Sequence, residues 1–119
     1  MGVVADEDGK RAAFRGLVER VLTGDGRASV EERATAFANA GGGGALGELV
    51  DKVARRPAEV GDGDFAAVGA AGFSEDQVFE LVVCAAVGQA DRLYGAGLAA
   101  LDEATAGGDA AGGASGEVG

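Results

Sequence analysis

The chain has 119 residues, with 23 glycines, one cysteine, no histidine, no tryptophan and a formal net charge of −10. An acidic chain without a Lys/Arg stripe argues against nucleic acid and anionic membranes as partners. The single cysteine excludes an internal disulfide framework, and the opening MGVVADEDGKR lacks the apolar run of a secretory signal, so the expected compartment is the cytoplasm.

Residues 1–9 are acidic and polar and are expected to be flexible. Phe14, Leu17, Val18, Val21 and Leu22 then recur at helical spacing, which predicts an amphipathic helix over residues 10–23 with Gly24 closing it. Ser29 with Glu32 forms a capping-box pair and opens a second helix reaching about residue 39, with Val30, Ala34, Phe37 and Ala38 on one side. Glycines 41–44 break the chain. A third helix is expected over 46–55, with Leu46, Leu49, Val50 and Val53 facing inward and Pro57 beyond its end. Asp62 can cap a short fourth helix, 64–71, closed by Gly72.

The fifth and longest helix has the clearest start. Ser74 and Gln77 form a second capping box, Phe73 and Val78 a hydrophobic staple, and Glu75, Asp76 and Glu80 set negative charge near the positive end of the helix dipole. From Val78 to Val87 only Glu80 is charged. Apolar residues therefore surround the helix, which predicts burial on most sides. The small residues Cys84, Ala85, Ala86, Gly88 and Ala90 would admit neighbouring helices closely. Leu81 to Gly88 is too short an apolar run to span a bilayer. From Thr105 the Gly/Ala/Ser composition predicts a disordered tail. No segment alternates with period two, so the expectation is an all-α domain over residues 10–104, a small bundle of about five helices. The Ala- and Gly-rich composition, with Arg well above Lys, looks like that of a GC-rich bacterial genome.

Three motifs with chemical connotations reduce to structural roles. GGGALG at 42–47 matches G-x-G-x-x-G, but it follows a helix instead of a strand, and Glu48 stands where a phosphate-binding loop needs lysine. Asp62-Gly63-Asp64 begins like a calcium loop, yet counting from Asp64 places Ala66 and Val68 at ligand positions, so a turn and helix cap explain the aspartates. Cys84 lies four residues after Glu80, a carboxylate that raises a thiol pKa, with no cationic neighbour in sequence to lower it; it reads as a small buried hydrophobe. Arg92 either bridges to an acid on another helix or subunit or sits at the helix rim, while Arg55 and Arg56 suit a solvated helix C-terminus. No catalytic, cofactor-binding or metal-ligating residue emerges. Phe79, Val83, Val87, Arg92 and Tyr94 are the candidate core or interface residues, and a helix apolar on most faces predicts an oligomer, most simply a symmetric dimer.

The run from Gly72, G-F-S-E-D-Q-V-F-E-L, leads into an Ala-rich helix ending near Arg92-Leu93 and is preceded by Val60, Asp62, Asp64, Phe65 and Val68. In this order the segments resemble the carboxymuconolactone decarboxylase and alkylhydroperoxidase D-like family over residues 50–101. The resemblance implies that family's helical fold. Its peroxidase branch uses a Cys-x-x-Cys pair followed by histidine, with a glutamate upstream, and its decarboxylase branch uses a histidine; this chain has one cysteine and no histidine. The implied function is a non-catalytic subunit that self-assembles or docks on a redox-competent relative. The alternative is a decarboxylase-like or antioxidant enzyme with an atypical or partner-completed active site.

Overall fold

A computed structural model describes the backbone of residues 2–111 and the side chains of residues 9–106. Five α-helices and one 3₁₀ turn follow one another: α1 Gly2–Thr23, α2 Val30–Phe37, α3 Gly44–Arg55, the turn Pro57–Glu59, α4 Asp62–Ala70 and α5 Glu75–Ala111. Among the described residues there is no strand, and the protein is all-α.

Local chemistry fixes most of the helix starts. The Ser29 hydroxyl accepts the Glu32 amide while the Glu32 carboxylate accepts the Ser29 amide, both at 3.0 Å. Ser74 and Gln77 repeat the exchange at 3.1 and 2.9 Å. At α4 it is Asp64, rather than Asp62, that reaches back, its Oδ2 accepting the Gly61 amide at 2.9 Å. The helix therefore begins two residues before the expected 64, because Asp64 sits at the third helical position, where a carboxylate can reach the cap. Gly72 ends α4 at φ 109°, a left-handed conformation that favours glycine.

The chain divides into two units, Met1–Gln89 and Ala90–Gly119. In the first, Leu81, Cys84 and Ala85 of α5 pack with Ala28, Ala36 and Val50, flanked by Val21, Phe37 and Leu46. A second cluster joins Leu49 of α3, Val68 of α4 and Val78 of α5, with Phe73 and Val82 against it. The inward face of α3 is the expected one, with Leu49 and Val50 buried and Leu46 and Val53 partly so. Gly88 completes the buried face of α5. A Cβ there would collide with the Phe37 backbone carbonyl, so only glycine lets α5 lie this close to the end of α2.

Two expectations about faces need correction. α2 turns Arg33 and Ala36 inward beside Phe37, while Val30, Ala34 and Ala38 are exposed. Arg33 is drawn in because its guanidinium meets backbone carbonyls at the end of α1. α5 is buried on one side only: Leu81 is 0% exposed, whereas Phe79, two residues earlier, is 69% exposed. The four preceding helices leave the Phe79 side of α5 uncovered.

The helical span also exceeds the expected 10–104. α1 begins at Gly2, and α5 continues to Ala111. The rest of the expected tail, 112–119, lies outside the described residues. In Ala90–Gly119, Tyr94 and Leu98 are half-buried, and Leu93 and Leu101 are 63% and 62% exposed. Among the described residues no helix is long and apolar enough to cross a membrane.

Candidate functional site

Two places bring together residues of chemical interest. The first surrounds Cys84. Glu80, one turn earlier on α5, points its carboxylate at the loop between α1 and α2. Oε1 accepts the Arg27 and Ala28 amides at 2.9 and 2.8 Å, and Oε2 accepts the Arg27 amide at 2.8 Å. Gly26 has no side chain to obstruct this approach; a Cβ there would lie 2.8 Å from Oε1. From the other side, Arg33 Nη1 donates to the carbonyls of Gly24 at 2.6 Å and Val21 at 3.5 Å. The Cys84 thiol donates to the same Val21 carbonyl at 3.3 Å.

These contacts satisfy backbone groups that helix ends leave unpaired. A cation on the last carbonyls of α1 and an anion on the amides entering α2 each match the sign of the local helix dipole. The electrostatics follow from that geometry. The amides of Ala28, then of Arg27, hold the Glu80 carboxyl below the usual glutamate range, with the charges of Arg33 and Arg27 assisting. Burial pushes the Cys84 thiol up; Glu80 adds to this and the Arg33 guanidinium opposes it. So a cation does stand near Cys84, supplied by α2 and invisible in the sequence around the thiol, but burial outweighs it. A buried thiol with a raised pKa is protonated at neutral pH and a poor nucleophile. The cluster ties α1, α2 and α5 together, and among the described residues Arg33 Nε is a buried side-chain nitrogen without a hydrogen bond.

The second place is an apolar hollow of about 560 Å³ on α4 and α5. One wall is Phe65, Ala66 and Gly69, at i, i+1 and i+4 of α4. The other is Glu75, Val78, Phe79 and Val82, at i, i+3, i+4 and i+7 of α5, with Phe73 from the connecting turn. Phe65 is 42% exposed. Of the candidate core or interface residues, Phe79 lines this hollow, Val83 and Val87 are half-buried further along α5, and Arg92 and Tyr94 belong to the second unit, Ala90–Gly119. Sequence reasoning missed Phe65 as a surface residue and Arg33 altogether. A signal for Arg33 exists, since it falls three residues after Val30 and four before Phe37, on the apolar repeat itself.

The remaining motifs are structural. Asp64 is engaged by Lys52 Nζ at 2.9 Å, which, with the Gly61 amide, holds its carboxyl below the usual range. The glycine loop 42–44 opens onto Glu48 and Asp51, carboxylates that would repel a phosphate. Among the described residues no group of three or more His, Cys, Asp or Glu side chains is placed to hold a metal ion. No family model, no curated protein and no solved structure matches the chain.

Proposed function

We propose that the chain is a non-catalytic helical subunit of the alkylhydroperoxidase D-like kind, which works by self-assembly or by docking on a partner through the outer face of α5. The observation that carries this reading is Phe79, 69% exposed at the lip of an apolar hollow. Exposed apolar residues scattered singly are ordinary, but three phenylalanines and two valines lining one concavity form the kind of patch that partners cover. The non-catalytic half of the proposal is supported by the Cys84 environment, in which burial and hydrogen bonding suit a structural thiol. A lone thiol also lacks a neighbour with which to form a disulfide after oxidation.

The test couples two measurements on the same preparations. Light scattering across a concentration series, alone and with candidate partners, should reveal an assembly that Phe79→Ser weakens. Hydroperoxide consumption with a dithiol reductant should be equally negligible in wild type and Cys84→Ser. Turnover that disappears in Cys84→Ser would overturn the non-catalytic reading.

A further inference from the structure

The hollow on α4 and α5 is apolar within and anionic at its lip. From residue 57 to residue 89 the chain contains no Lys or Arg but carries Glu59, Asp62, Asp64, Glu75, Asp76 and Glu80. Three of these acids are already engaged, Glu59 by Arg56, Asp64 by Lys52 and Glu80 by the α1–α2 loop. Asp62, Glu75 and Asp76 are exposed. Asp62 shares the helical stripe of Phe65, Ala66 and Gly69, since the four fall at i, i+3, i+4 and i+7 of α4. Asp76 lies three residues before Phe79, and Glu75 lines the hollow itself. Both walls thus present apolar side chains bordered by carboxylates.

We propose that the occupant of this groove is a basic amphipathic helix from a different chain, with apolar residues seated against Phe65, Phe79 and Val82 and Lys or Arg residues meeting Asp62, Glu75 and Asp76. The inference rests on the docking reading above and names the partner's chemistry. Two helices that leave an apolar trough between them accept a third helix by its i, i+3, i+4, i+7 face. The lip then selects by charge. A second copy is the poorer occupant, because an isologous interface sets the same acidic lip against itself, and like charges across an interface are unfavourable. A chain of net charge −10 also attracts cationic partners from a distance and slows the approach of its own copies.

The experiment uses three labelled peptides of about 18 residues, five helical turns. One contains Leu and Lys with Leu at helical spacing, one keeps that pattern with Glu in place of Lys, and one scrambles the Leu/Lys order. Fluorescence anisotropy is read against wild type, Phe79→Ser and the double variant Glu75→Gln with Asp76→Asn, with circular dichroism confirming that each variant is folded. The patterned Leu/Lys peptide should bind one per chain, and the other two should bind at least about tenfold more weakly. Phe79→Ser should cost a similar factor, and the double variant should flatten the dependence on salt. Equal binding of the Glu peptide, or Leu/Lys binding that Phe79→Ser leaves unchanged, overturns the basic-helix assignment. If no peptide binds but light scattering shows a Phe79-dependent dimer, the occupant is a second copy: this inference fails and the docking reading stands. If no peptide binds and the chain is monomeric with and without partners, both fail.

Discussion

Leu81 and Phe79 stand two residues apart on α5, both large and apolar, and the fold treats them oppositely. Leu81 lies in the buried cluster with Ala28, Ala36 and Val50 and is fully shielded from solvent; Phe79 keeps 69% of its surface exposed. Residue type does not explain the difference. What decides it is which side of α5 the first three helices can reach. Leu81, Cys84, Ala85 and Gly88 fall on one stripe, and the glycine at its end lets the Phe37 carbonyl come into contact. The inner face therefore stabilises the folded chain, while the outer face keeps Phe79 largely in water. Fully burying a side chain such as Phe is worth about 1.5–3 kcal/mol.

Leu81→Ala should widen the contrast most. Removing a fully buried Leu side chain leaves a cavity and should cost about 2–5 kcal/mol, a large share of the stability of a small domain. Urea denaturation read by circular dichroism checks it. A loss under 1 kcal/mol would mean that the inner face is loosely packed and the two faces differ little. Next comes Gly88→Ala. Its methyl group would press on the Phe37 carbonyl, a crowding worth about 1–3 kcal/mol, against up to about 1 kcal/mol gained in helix propensity. The net effect should be destabilising. Gly69→Ala in α4 adds a methyl into open space and should raise the denaturation midpoint.

The residues explain why some of this could be read from the sequence and some could not. Both capping boxes and the Gly72 stop involve groups within four residues of one another, so spacing alone revealed them. The α3 face was legible because its apolar residues leave one choice of side. Arg33 was not, since its partners are the Val21 and Gly24 carbonyls, brought near only when α2 folds back on α1. Nor was the role of Glu80. A glutamate four residues before a cysteine points to a raised thiol pKa, and Glu80 does contribute to one; the spacing does not show that the same carboxylate also accepts the Arg27 and Ala28 amides. On α5 a uniformly apolar run conceals which residues are covered, so Phe79 and Leu81 looked equivalent.

Glu80→Gln probes the seam between the two faces. A neutral amide can accept fewer of the three hydrogen bonds and brings an NH₂ toward backbone donors, so the loss should be about 1–2 kcal/mol at neutral pH, kept modest by partial solvent exposure. The pH dependence has a definite sign. The folded chain holds the Glu80 carboxyl below its usual range, so the unfolded chain binds the proton more readily and stability rises with pH across the acid limb. The stabilisation is fully present above the ordinary glutamate range and disappears as the pH falls through the lowered folded value. Denaturation midpoints of wild type should therefore fall faster on acidification than those of Glu80→Gln. Parallel curves would show that the carboxylate contributes nothing specific to folding.

The smallest expected effect is the one on which the comparison depends. Phe79→Ser removes the largest exposed side chain on the outer face, yet unfolding exposes little more of Phe79 than the folded monomer already does. Its stability should therefore change by no more than about 0.5 kcal/mol, as for surface substitutions generally. The measurement has to be made at low protein concentration, because an assembly that buries Phe79 would add concentration-dependent stability to the wild type and mimic a core defect in the variant. A gap between wild type and Phe79→Ser that grows with protein concentration is the signature of a face covered by association. A gap of about 2 kcal/mol or more that does not vary with concentration would place Phe79 in the monomer core. The hollow would then be closed in the folded chain, and no outer face would remain for a partner to cover.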